Sequence, residues 1–314
     1  MLDSLALPFS AHQLRDAVRS ARRFNAAGLD RVLRLDSERG VVETQSSASW
    51  AAVSDYLLPT VPELKDAWQS KRSVGESVAL NSTGPDGRPV VAHVESMALV
   101  TPDGELRRVN RESHPEIFAL AVGGQGLFGA PYSVTLRLAS LARAAVEAAP
   151  SVRLDLEQEP AGEDARALQL FVAPGSVEPF MAEARALCSE WHTHIGAIEV
   201  RPTFQEDETV LRWARRDYAQ MNLVLSQRRS LGGAVRTTQL CRQLIDAAIS
   251  HGGGFPISCT PEATRQQVEA CYPELRRVLA EKRRLDPCGK LDNPWFRHHA
   301  SLLGREACKV RWNA

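Results

Sequence analysis

Trp191-His192-Thr193-His194 puts two imidazoles close enough in sequence to suggest a metal site. Zinc needs further Cys, Asp or Glu ligands at set spacing, and none stands there, so no metal is assigned. His298-His299 reads as a solvated helix end, and His93 as a satisfied polar residue at a strand entrance. Ser-His-Asp chemistry lacks a GxSxG nucleophile elbow. Cys259, within Ile257-Ser258-Cys259-Thr260-Pro261, is either a thiol that reacts if its pKa is lowered or a small neutral filler. Gly124-Gln125-Gly126-Leu127-Phe128-Gly129 fits GxGxxG, which receives a dinucleotide pyrophosphate only after a strand and at the start of a helix. Here a helix comes before it and a strand after it, so the Rossmann reading is rejected. The catalytic residues stay unknown.

The elements that would position these groups follow from periodicity and turn chemistry. Ser10 caps a helix from Ala11 to about Phe24, with Leu14, Ala17, Val18 and Ala21 on one face and Arg15, Arg19, Arg22 and Arg23 outside it. Two strands, RVLRLD and VVETQSSASW, flank the turn Ser37-Glu38-Arg39-Gly40 and lead into a helix from Trp50 to Leu57. From Ser73 the pattern is a glycine-bearing loop, the strand VESMALVT, a tight turn at Pro102-Asp103-Gly104 and the strand ELRRV. A helix started by Ser113 and Pro115 follows, then a glycine cluster and the β-rich PYSVTLRL. Beyond Ala139, SVRLDLE, ALQLFVAP, AIEVRP and YAQMNLVLS read as strands. Val177–Trp191, Glu206–Ala214 and Arg236–Ser250 read as helices. This alternation suggests an antiparallel sheet covered by helices.

The chain has 314 residues, 44% of them hydrophobic and 24% charged, which suits a globular protein of two domains, or of one domain with a large insertion. Lys+Arg and Asp+Glu are 38 each, so no global field recruits nucleic acid or an anionic membrane. The start, MLDSLALPFSAHQL, lacks a basic n-region, and no apolar run approaches the ~20 residues of a membrane span. The six cysteines include Cys188, Cys259 and Cys308 and form no CxxC pair, so free thiols and a cytoplasmic location are expected.

The order loop, hairpin, helix, glycine turn and strand from Ser73 to Leu138 resembles the second half of the FAD domain of the vanillyl-alcohol-oxidase superfamily. Within it, the chain looks most like the aldonolactone-oxidase and decaprenylphosphoryl-ribose-oxidase branch, where the loop reads VGGxIAxxxHG and the end reads GGxGLxGVI. Further likeness lies in Ile198-Glu199-Val200-Arg201, Leu211-Arg212-Trp213-Ala214-Arg215, Gly252-Gly253-Gly254-Phe255, Tyr272-Pro273-Glu274-Leu275 and Asp286-Pro287-Cys288-Gly289. The resemblance implies an α+β fold, a truncated PCMH-type FAD-binding domain with an α+β cap (substrate) domain. The FAD domain would span residues 1–138, the cap 139–270, and 271–314 would return to the FAD domain. The cofactor-binding residues it implies are Ser73, Val74, Gly75, Ala79, Thr83, Gly84, Gly129 and Pro131. Cys259 stands where relatives have a lysine near the flavin.

The departures from that pattern are specific. The segment Arg22–Asp30 passes straight from helix to strand, without the RGxGxSY-type loop that wraps the FAD pyrophosphate. Glu76 replaces the second glycine, Thr83-Gly84 stands for His-Gly, and Pro131 has no N–H to give. Losing about three phosphate contacts, at roughly 1.5–3 kcal/mol each, removes ~4–9 kcal/mol of binding. Lys71 and Arg72 are either replacement phosphate partners or ordinary surface charges. Two functions are therefore expected. One is an FAD-dependent oxidoreductase passing a hydride from a small-molecule alcohol or sugar-like substrate to the flavin. The other is a non-catalytic relative acting as a binding or accessory subunit for a partner protein.

Overall fold

The structure, a computed structural model, describes residues 5–21, 23–65, 67–155 and 163–304. Arg22, Cys308 and the last two residues of the expected strand SVRLDLE lie outside the described residues. The architecture is α+β with two antiparallel sheets. Two compact units divide the chain: Met1–Ala148 with Glu206–Arg212 and Glu274–Ala314, and Ala149–Gln205 with Trp213–Pro273.

The first unit opens with α1 (Ala11–Arg19), where the Ser10 hydroxyl accepts from Gln13 N. Its apolar face buries Leu14, Ala17 and Val18. The helix stops five residues short of Phe24, because the Ser20 hydroxyl donates back to the Asp16 carbonyl at 2.6 Å and Ala21 turns to φ +50°. Leu14 and Val18 pack with Leu29, Val100, Ala130 and Leu291 in one buried cluster. β1 (Val32–Asp36) and β2 (Val41–Gln45) form the expected hairpin, and α2 (Trp50–Leu57) follows with Ser49 as its N-cap. Next come α3 (Val74–Leu80), β3 (Val94–Val100), β4 (Leu106–Val109), α4 (Pro115–Ala121), β5 (Ala130–Arg137) and α5 (Leu138–Val146). The five strands lie in the order β1-β2-β5-β3-β4. At the β3–β4 turn, Asp103 Oδ1 accepts from Thr101 Oγ1 at 2.6 Å and from Glu105 N at 3.1 Å.

In α4 the N-cap is His114, in the left-handed region at φ +55°, not Ser113. Asn110 Oδ1 has already taken Ser113 N, at 2.5 Å, and Pro115 needs no acceptor at the first helical position. The segment 206–214, expected as a helix, is irregular. The Glu206 carboxylate accepts from Glu208 N at 2.7 Å and Thr209 N at 2.9 Å, so a local turn replaces the helical ladder.

The second unit has β6 (Val152–Asp155), β7 (Glu163–Val172), α6 (Val177–Glu190), β8 (Ile195–Thr203), β9 (Tyr218–Arg228), α7 (Leu231–Ser250) and α8 (Arg265–Cys271). Its strands lie in the order β6-β8-β9-β7. α7 packs on β7, β9 and α6. It begins earlier than Arg236, because Ser230 accepts from Gly233 N at 3.0 Å and starts the helix across the two glycines.

The chain then returns to the first unit with α9 (Leu275–Leu285) and α10 (Pro294–Leu302). Of the two terminal histidines, His298 is exposed but His299 is buried, which corrects the expected solvated pair. Helical phase turns His299 inward over Trp295, with ring centroids 4.3 Å apart. Its Nδ1 lies 2.9 Å from the Trp295 carbonyl, which can only accept, so Nδ1 carries the proton. Burial holds this imidazole down at about 4. The unfolded chain therefore takes up the proton first, and stability falls as pH drops from ~6.5 towards 4. Unfolding free energies measured at pH 7 and pH 4.5 are expected to differ by less in His299→Phe than in the parent chain.

Candidate functional site

α3 lies where a cofactor-cradling loop was expected, and its start is closed by the protein itself. Ser73-Val74-Gly75-Glu76 is a capping box: Ser73 Oγ accepts from Glu76 N at 3.2 Å, and Glu76 Oε2 accepts from Ser73 N at 2.8 Å. Val74 N donates to the Ala48 carbonyl at 2.9 Å and Gly75 N to the Ser46 carbonyl at 2.7 Å. A Cβ on Gly75 would come within 2.6 Å of that Ser46 oxygen, so the residue serves close backbone packing against the end of β2. All four N–H groups of the first turn are thus used within the chain. A groove of about 270 Å³ runs beside α3, lined by Arg72, Glu76, Ala79, Leu80 and Gln125.

At its other end α3 stops on Asn81, in the left-handed region at φ +47°. Its side chain accepts from Val91 N at 3.0 Å and donates to Glu206 Oε1 at 3.3 Å. Burial raises the Glu206 carboxyl, and the hydrogen bonds from Thr209 and Glu208 offset only part of that. Gly123 N and Gln125 N donate to Val78 and Ala79, which ties the glycine turn to α3. That turn has α4 before it and β5 after it, the reverse of a Rossmann site.

The turn after α3 contains Thr83, which bridges Pro89, and Gly84, whose N–H donates to the Arg88 carbonyl at 2.7 Å. Beside it sits a buried polar group. His93 Nδ1 shares a hydrogen bond with Ser140 Oγ at 2.8 Å, and its Nε2 stands 3.5 Å from Asp86 Oδ1. That longer separation is an electrostatic contact rather than a tight hydrogen bond. Burial pushes the Asp86 carboxyl up, yet His93 and Arg88 outweigh it and hold the group below its usual range. Trp68 meets the His93 ring edge-on at 5.0 Å and stacks on Trp50 at 4.2 Å, while Trp50 Nε1 donates to Ser77 Oγ at 2.9 Å. Ser140, His93 and Asp86 thus resemble a hydrolase set in composition only. All three are buried and serve the interior.

Gly129 packs against the Leu99 side chain, and Pro131 pairs with Leu99 where the β3–β5 register shifts. Pro131 also lies beyond the β2–β5 ladder, which ends at Ser133, so its missing N–H breaks no bond there. Of the residues expected to hold FAD, Ser73, Val74, Gly75 and Ala79 thus share α3. Thr83 and Gly84 form the next turn, and Gly129 and Pro131 enter β5.

The second unit carries a sheet face with polar side chains on β8 and β9. On β8 and β9 the side chains alternate. Ile198, Met221 and Leu223 are buried on one face, and Glu199, Arg201, Gln220 and Asn222 share the other. Glu199 accepts from Ser151 Oγ at 2.6 Å and from Asn222 Nδ2 at 3.2 Å. Those bonds, with Arg201 and Arg153 nearby, hold its carboxyl below the usual range against the effect of burial. The alternation of AIEVRP against YAQMN was the available signal. Cys259 is exposed on the loop after the glycine run. His192 and His194 are exposed on an open groove with Arg185 and Arg228, and no metal-ligating cluster of three or more such groups occurs among the described residues.

Two curated proteins of Oryza sativa subsp. japonica, L-galactono-1,4-lactone dehydrogenase 1, mitochondrial, and L-galactono-1,4-lactone dehydrogenase 2, mitochondrial, are each 32% identical to the chain over 124 residues. The match covers 38% of this chain and 21% of each relative, so the chain spans about a fifth of their length. No family model matches the chain. No helix among the described residues is long and apolar enough to cross a membrane.

Proposed function

We propose that the chain is an oxidoreductase of the FAD-dependent kind, acting on an alcohol or sugar-like substrate. The likeness to two lactone dehydrogenases supports the oxidoreductase class, and the α+β architecture is compatible with such a flavoprotein. The observation that carries the substrate class is the polar face of β8 and β9. An ionised, half-buried Glu199 with Asn222 beside it offers acceptors and a donor in the pattern a polyol needs.

The α3 segment does not fit the pyrophosphate of FAD. Its first-turn amides are taken by Ser46, Ala48, Ser73 and Glu76, and the Glu76 carboxylate stands where a phosphate would need donors. The adjoining groove, at about 270 Å³, is below the ~300–1,000 Å³ that drug-sized ligands occupy, and FAD is larger still. This closed helix start favours the second reading, a flavoprotein-fold relative that binds a partner without catalysis.

A visible absorption spectrum separates the two. The purified protein is mixed with excess FAD and desalted. Flavin bands that stay with the protein are the expected result for the oxidoreductase, and substrates would then be screened by bleaching. A colourless protein overturns that reading and leaves the accessory one.

A further inference from the structure

We infer that the second unit holds a small anion pocket, built to take a single aromatic ring bearing a carboxylate. The cavity measures about 190 Å³ and lies between the 213–218 segment, β7 and the glycine turn after α7. That volume excludes a nucleotide and suits a ligand smaller than a drug.

Its wall is aromatic. Phe171 and Trp213 stack at 4.8 Å with 12° between their planes, and Tyr218 lies 5.6 Å from Phe171 at 27°. A flat slab of this kind favours a further ring in an offset stack. Arg215 and Arg216 line the same cavity, and among the described residues neither has a carboxylate partner. Asp217, between Arg216 and Tyr218 in sequence, accepts from Gln205 N at 2.9 Å instead.

The other titratable groups lining the cavity stay neutral at pH 7. Burial lifts the Cys271 thiol to about 11 and the Tyr272 phenol well above its ordinary value, and Tyr218 is raised in the same way. Arg216 hydrogen-bonds the Tyr218 phenol, so two guanidinium groups line the cavity with no carboxylate opposite them, and an incoming carboxylate meets their fork geometry. Gly252 borders the cavity in the left-handed region at φ +71°, the conformation that requires glycine there.

The test uses the full chain labelled with 5-fluorotryptophan and benzoate as the probe, followed by fluorine NMR. Trp213→Phe assigns one of the six tryptophan resonances. That resonance is expected to shift saturably with benzoate. Benzamide, the neutral isostere, is expected to bind about ten- to a hundredfold more weakly, as is benzoate to the Arg215→Gln/Arg216→Gln double variant. The remaining tryptophan resonances report that the variant is folded. No saturable shift, equal binding of benzamide, or unchanged binding by the double variant would each overturn the proposal.

Discussion

Lys282→Met is expected to lower unfolding free energy by about 3–5 kcal/mol, the usual cost of leaving one partner of a buried ion pair alone. Lys282 and Asp286 are 2% and 4% exposed, and the ammonium donates directly to Asp286 Oδ2. Asp286 also accepts from Lys290 N at 2.9 Å and Leu291 N at 2.8 Å, so this one carboxylate fixes the turn between α9 and α10. Burial alone would raise that carboxyl, and Lys282 with the two amides brings it below its ordinary value. Its contribution is present above the unfolded value of ~3.9 and is lost as pH falls through the folded value. The deficit of Lys282→Met, read from urea melts, should therefore shrink in acid. Replacing Asp286 by Leu as well should recover part of the loss at pH 7, since the uncompensated charge is then gone. A deficit below 1 kcal/mol would show that the pair is solvated.

Gly253→Ala is the second large effect, at about 3 kcal/mol, the upper part of the range for overpacking. A Cβ there would stand 1.8 Å from the Phe171 carbonyl oxygen, which belongs to backbone and cannot swing aside. Next to it, Phe171 and Gly254 exchange two backbone hydrogen bonds, at 2.8 and 2.9 Å. Separating the glycine turn from β7 would also move Phe171, which stacks on Trp213 and Tyr218. Gly175→Ala is the matching control, since a Cβ at that position meets nothing within 4 Å. It should stay within about 0.5 kcal/mol of the parent chain.

Much of the α+β scaffold could be read from local chemistry. Ser49 ahead of Trp50, Gly40 between two β-prone runs and Pro102-Asp103-Gly104 each act through atoms within four residues of one another. Ser73-x-x-Glu76, within the stretch expected as a loop, is an equally local signal, that of a capping box. The Glu76 carboxylate closes the helix start. At 206–214 a side chain that bonds nearby amides overrides the expected helix. Partners such as His93 and Ser140, 47 positions apart, could not be paired from one sequence. The same holds for the polar face of β8 and β9, where Glu199 meets Asn222 only once the strands are in register.

The five-stranded sheet ends on two short strands, and their composition bears on self-association. β1 has five residues, with a register irregularity between Val32 and Arg34, and β4 has four. Leu33 and Leu106 are exposed on them, which by itself would invite an incoming strand. Their neighbours are arginines. Arg34 and Arg108 both reach Glu43, and Arg107 reaches Asp103 at 2.6 Å. A strand from a second molecule would have to desolvate those charges and match a kinked edge. The outer strands thus work as gatekeepers against fibril-like stacking of the sheet, a protection to which these three arginines contribute.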